Sequence, residues 1–295
     1  SSWQPCFFPM GGTDAAAPVV WWSRNDLRLR DNPVLRDAVG EAFTDSRSFL
    51  AVFVFDPRFL VRSNYGRVTD PNFEKSIPTR KPVDFGNRKC GALRARFWIQ
   101  CVREVGRQLS ELGVQFTVCH GMPEDVLGAL PEGSRVVAQA EPVSPECTDV
   151  EDFVEAALLK RGGQLQRHWG AMSLYHRDDL PFKVDEWEAP GSFTELAVAL
   201  GWEDIWSCSK RSPGATPLRS PMPVPAAFPK APVAKVALPG QLAPEVLADD
   251  EAALRHLGYS EEEIAESRNC KGIPWGGEPA ALAAFQRWLT ADGDS

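Results

Sequence analysis

The chain has no Cys-x-x-Cys pair, and none of its four histidines stands where a zinc ligand pair would need it. Its seven cysteines, an odd number, are at 6, 90, 101, 119, 147, 208 and 270, mostly inside apolar segments. That pattern reads as buried small hydrophobes in a reducing compartment, with no structural metal. No apolar stretch approaches the roughly 20 residues that cross a bilayer, so the expectation is a chain that is not transmembrane and at most peripheral to a membrane complex. An excess of basic residues is also lacking: 40 acids face 32 bases, for a net charge of -8. Such a surface repels phosphate backbones, which makes nucleic acid an unexpected partner, although a local basic groove is compatible with the total. No G-x-G-x-x-G follows the first apolar run and no Walker-type loop is present, so dinucleotide-fold and P-loop handling of phosphates is excluded. The sequence opens Ser1-Ser2-Trp3 without a methionine, and the expectation is a removed N-terminal segment, organellar if it was a transit peptide.

What is present is an ordinary globular composition, 43% hydrophobic and 24% charged over 295 residues. This is enough for one large domain, or for a domain plus part of another. Apolar runs at 19–23, 49–55, 114–120, 135–140 and 164–169 read as five strands. FLAVFVF, at 49–55, is too uniformly apolar for a sheet with one wet face. Between them, residues 90–113 repeat Leu93, Phe97, Cys101, Val105 and Leu109 at four-residue steps, the stripe of an amphipathic helix closed by Gly113. A second helix is expected over 146–160, with Val150, Phe153, Val154, Ala157 and Leu158 on its inner face. Continuous apolar strands alternating with such helices give an α/β fold, a doubly wound five-stranded parallel sheet of Rossmann-like type.

Nine prolines crowd residues 212–244, which rules out helix and central strand there and suggests an extended, partly polyproline-like connector. The expected organisation is an N-terminal extension at 1–18, the α/β domain at 19–206, a proline-rich linker at 207–245 and a short helical segment at 246–295. In the last of these, Leu282, Phe285, Trp288 and Leu289 form an apolar face that needs a partner, and docking of another protein is expected there.

Directly after the first strand, Arg24, Asp26, Arg28, Arg30 and Asp31 fall within eight residues. In a doubly wound sheet the loops at the carboxyl ends of strands are where ligands sit, so Arg24 and Asp26 are candidate ligand contacts. The other reading is internal bracing, with the aspartates consuming the guanidinium groups. Arg28, Asp31 and Asn32 are expected to be structural, Asn32 capping a helix with Pro33 in its first turn. The run His176-Arg177-Asp178-Asp179 reads as a braced loop, and His120 as a turn residue after its strand.

Five segments, in order, carry a resemblance: WWSRNDLRLRDNPVL, VFVFDPRF, KCGALRARFWIQCVREVGRQL, HWGAMSLYHRDDLPF and WGGEPAALAAFQRWL. They resemble the photolyase and cryptochrome family, and within it the DASH cryptochromes. The resemblance implies that the α/β half is the N-terminal domain of that family, which carries or borders an antenna chromophore, a folate-type pterin or a flavin-like pigment. It also implies that the FAD cradle, the redox tryptophans and the DNA groove belong to a helical domain beyond Ser295. FAD is therefore not expected here, nor light-driven repair by this chain alone. Trp22, Trp98, Trp169 and Trp206 match no electron chain of the family and read as core or interface. Glu141 and Glu146 stand where the family uses an acid to hold the pterin ring, with an ordinary loop acid and a helix N-terminal charge as the other reading. Three functions follow. The first is a non-catalytic accessory or structural subunit of an organellar assembly, chloroplast favoured over mitochondrion, with the cytoplasm as the remaining location. The second is a pterin- or flavin-binding antenna protein or blue-light photoreceptor, and the third a nucleotide-binding α/β enzyme.

Overall fold

A computed structural model describes residues 17–60, 88–141, 144–170, 173–183, 191–202, 215–230, 236–268 and 275–291. Five strands, β1 (Val19–Trp22), β2 (Phe49–Phe55), β3 (Phe116–His120), β4 (Arg135–Gln139) and β5 (Gln164–His168), form one sheet in the order β3-β2-β1-β4-β5. All pairings are parallel, with Val19 opposite Phe49 on one side and Arg135 on the other. The expected α/β sheet is therefore present, strand for strand.

The central strands β1 and β2 are apolar on both faces because both faces are covered. Helix α1 (Pro33–Thr44) lies on the side of Val19 and Trp21, burying Val34, Leu35, Ala38, Val39 and Ala42. Asn32 caps it, its Oδ1 accepting from the Leu35 N–H at 2.9 Å, and Pro33 occupies the first turn. After β2 come the short α2 (Pro57–Leu60) and the long α3 (Ala92–Glu111). The opposite face, with Val20, Trp22 and Val52, packs on α4 (Pro123–Gly128) and α5 (Pro145–Leu159).

Two expected helix faces are corrected. On α3 the buried side is Ala92, Ala95, Ile99, Gln100, Cys101, Val102, Val105 and Leu109, so the expected Cys101, Val105 and Leu109 are inside, while Phe97 is 37% exposed and Leu93 only half-buried. Strict four-residue steps drift about 40° each time around a helix of 3.6 residues per turn, so the sequence stripe and the packed stripe diverge toward the N-terminus. On α5, Phe153 is exposed, and the buried positions are Val150, Glu151, Val154 and Leu158.

The proline-rich stretch, where described at 215–230 and 236–243, forms no helix and wraps the sheet. Phe228 packs on Phe49, ring centroids 5.7 Å apart, on the α1 face, while Leu238 joins the core on the other face. Just after Leu238 it seals the β3 edge: the His120 N–H donates to the Gly240 carbonyl and the Leu242 N–H to the Val118 carbonyl, both at 2.8 Å. Three helices follow after the single-turn 3-10 segment Arg177–Asp179 and α6 (Phe193–Ala199): α7 (Pro244–Ala248), α8 (Asp250–His256) and α9 (Glu261–Arg268). Leu254, Leu257, Tyr259 and Ile264 pack these against α3. Last comes α10 (Glu278–Ala291), tethered by the Leu29 N–H donating to Glu278 at 3.1 Å. Its Leu282, Phe285, Trp288 and Leu289 are 51 to 60% exposed. No described helix is long and apolar enough to cross a membrane.

Candidate functional site at the strand reversal

The strand order reverses between β1 and β4, and there a cleft of about 460 Å³ opens at the carboxyl ends of β1, β2 and β4. Trp22 from β1, Phe53 from β2, Phe59 from α2 and Trp98 from α3 give it aromatic walls. Arg24, Asp56, Arg94 and Glu141 are the charged residues that line it.

Arg24 reaches this cleft but is held by the body of the domain. Its guanidinium donates to the carbonyls of Gln139 (3.2 Å) and Cys147 (3.3 Å) and to the carboxylate of Glu151, and lies 4.6 Å from the centre of the Trp22 ring. Glu151, only 3% exposed, also accepts from Arg167 at 2.9 Å. Asp26 holds Arg28 bidentately at 2.8 and 2.9 Å, and this hydrogen bond raises the Arg28 guanidinium above its ordinary value against the opposing effect of burial. Arg28 also donates to the Asp31 carbonyl, and Asp31 takes a positive φ of 50°. Asp26 faces a neighbouring cleft of about 800 Å³ between this loop, α3 and α10. Asp56 is held by Arg58, which bridges on to Glu124.

Glu141 is fixed from behind. Its Oε1 accepts from Asn25 Nδ2 at 2.9 Å and Gln139 Nε2 at 3.1 Å, while among the described residues its Oε2 has no partner. Glu146 is paired with Lys89 at 2.6 Å and does not line the cleft. The structure thus brings Arg24 and Glu141 together, sets Asp26 in the adjoining cleft and leaves Glu146 outside both. Of the four tryptophans, Trp22 is core, Trp98 and Trp169 are half-buried, and Trp206, like Pro142 and Val143, lies outside the described residues. Sequence reasoning overlooked Arg94, Phe59 and Gln139. The signal for the first was Arg94 and Trp98 at i and i+4 on one helix face. Around His176, the loop is braced as expected: Asp178 N–H donates to His176 Nδ1, and Asp179 pairs with Arg219. No group of three or more metal-ligating side chains occurs among the described residues.

The model of the DNA photolyase family matches residues 19–200, which hold all five strands and the cleft. The chain belongs to that family. This photolyase-family chain is 33% identical over 217 residues to the chloroplastic/mitochondrial cryptochrome DASH of Oryza sativa subsp. japonica, covering 68% of the chain and 33% of that protein. It is 30% identical over 274 residues to the cryptochrome DASH of Gloeobacter violaceus, covering 92% of the chain and 44% of the relative. The solved cryptochrome of Synechocystis sp. PCC6803 shares its fold, with a TM-score of 0.57 at 24% identity over 77% of this chain and 40% of that one. The photolyase-family chain therefore spans about a third to under half of the length of these relatives.

Proposed function

We propose that the α/β body of this chain binds a flat aromatic chromophore of the pterin or flavin class at the carboxyl ends of β1, β2 and β4, in a light-related role. One observation carries this reading: the cleft at the strand reversal combines aromatic walls with the preorganised, half-engaged carboxylate of Glu141. Its volume suits a small cofactor, since such sites run to roughly 300–1,000 Å³. Tryptophan and phenylalanine faces stack on a planar ring, and a carboxylate oxygen accepts from the N–H edge of an aminopyrimidine. The rice relative's chloroplastic/mitochondrial name supports an organellar setting, for which the chloroplast is the favoured compartment. Fluorescence titration of the purified chain with flavin mononucleotide and with folic acid is the test. Saturable one-to-one binding of at least one, weakened tenfold or more in Glu141→Ala, is expected; no binding of either sinks the reading.

A second reading, as a non-catalytic accessory subunit of a larger assembly, is favoured by the exposed Leu282, Phe285, Trp288 and Leu289 of α10. Native co-purification should then return a stoichiometric protein partner that Leu282→Ser/Trp288→Ser loses. A partner retained by that variant, or a free monomer, would count against it.

A further inference from the structure

We infer that His120 and His256 form a two-imidazole clip for one divalent transition ion of the zinc and copper class, joining the end of β3 to α8. Their rings meet edge to face, with centroids 5.4 Å apart. Two imidazoles bonded at about 2.0–2.1 Å to one tetrahedral ion have centroids roughly 5 Å apart, so this spacing needs no backbone movement. The last torsion of a histidine is soft, and each ring can turn a nitrogen toward the ion at little cost. The chain's other two histidines are already engaged: His168 Nδ1 pairs with Asp37 at 2.7 Å, and His176 Nδ1 accepts from the Asp178 N–H at 3.2 Å. Among the described residues, His120 and His256 are the two histidines whose rings have neither a hydrogen bond nor an ion pair.

Both backbones are fixed by the core rather than by the histidines. The His120 N–H donates to the Gly240 carbonyl at 2.8 Å, and the next N–H, of Gly121, donates to the Phe55 carbonyl at 3.1 Å. His256 is flanked by the buried Leu254 and Leu257, which pack α8 into the same cluster as Val118 of β3. Ligands already held at the right spacing lose little freedom when the ion arrives. The neutral imidazole is the ligating form, and two rings in contact favour it, because two cations side by side repel. Asp56 is near enough for its charge to act on His120, but Arg58 occupies both of its oxygens, so it is not a third ligand. Two protein ligands leave two positions for water, one ligand fewer than a catalytic zinc holds, which suits a clip between two elements and not a reaction centre. Imidazole nitrogens select Zn²⁺, Cu²⁺ and Ni²⁺ over the oxygen-seeking Mg²⁺ and Ca²⁺.

Calorimetric titration of the full chain with Zn²⁺, Cu²⁺ and Ni²⁺, each against Mg²⁺, is the test, joined to thermal melts with and without the ion. At least one transition ion should bind saturably and raise the Tm, while Mg²⁺ does neither. His256→Asn changes an exposed side chain, so its metal-free Tm should match that of the parent while one equivalent of ion is lost or held tenfold or more weakly. His120→Asn should show the same loss of binding, and His176→Asn should stay within twofold of the parent. Electron paramagnetic resonance of the Cu²⁺-loaded chain should report two coordinating nitrogens, reduced to one in His256→Asn. Ion binding that both His120→Asn and His256→Asn retain unchanged places the ion elsewhere, on thiols for instance, and overturns the inference. So does the absence of saturable binding of any of the three ions.

Discussion

At the scale of single residues, Glu151 sets the clearest energetic condition. Its carboxylate is buried, and Arg24 and Arg167 both donate to it. Removing it strands the buried Arg24 cation, for which roughly 3–5 kcal/mol is expected. Glu151→Ala should therefore show a large drop in the urea midpoint, and a change below about 1 kcal/mol would mean that Arg24 escapes to water. Two histidines give opposite pH responses. The hydrogen bond that the His168 ring donates to Asp37 holds the imidazole above its ordinary value against burial, with the Asp37 and Glu41 charges helping. Its contribution is complete below about 6.5, the unfolded value, and is lost as pH rises through the raised folded value. Asp37→Asn should flatten that alkaline-side decline. For His120, burial and then the neighbouring His256 lower the value, with Asp56 opposing. Its contribution is present above about 6.5 and is lost as pH falls through the lowered value, a decline that His120→Asn should remove. Thermal melts across the range from about pH 5 to 8 read both.

Elements divide into those written locally and those that are not. The β2 run, the Asn32–Pro33 cap and the Gly113 stop, at φ +72°, depend on neighbours a few residues away, and sequence reasoning found them. The inner face of α3 depends on what packs there, including Leu254 and Ile264 from more than 150 residues later, so periodicity misplaced Phe97. The candidate site shows the same division. Glu141 and Arg24 were visible from their place at strand ends, but Glu151 as the partner of Arg24 is 127 positions away, and nothing local marks it. The wrapping segment carries a sharp test of its own. Gly240 has φ +66°, and a Cβ there would lie 2.2 Å from the His120 carbonyl oxygen. Positive φ alone costs roughly 1–2 kcal/mol for other residues, so Gly240→Ala should lose more than about 2 kcal/mol. Amide exchange at His120 and Leu242 should accelerate in that variant before exchange elsewhere in the sheet does.

For the whole molecule, the wrap and α7 to α9 share the core with the sheet through Phe228, Leu238, Leu242, Leu254 and Ile264. One cooperative transition is therefore expected, with tryptophan fluorescence and far-ultraviolet circular dichroism giving coincident urea curves. Phe228→Ala should shift both curves together, by roughly 3 kcal/mol; an early, separate transition would show that the wrap is an independent unit. The seal along β3 has one more consequence. A parallel sheet ends in two rows of unspent amide and carbonyl groups, each a template on which another chain can polymerise. On one side this molecule occupies that row with its own residues 240–242, and on the other β5 carries Arg167 and His168, charges that discourage stacking. A protease cut that freed the wrap would bare the β3 rim, and clumping of otherwise folded molecules would begin there.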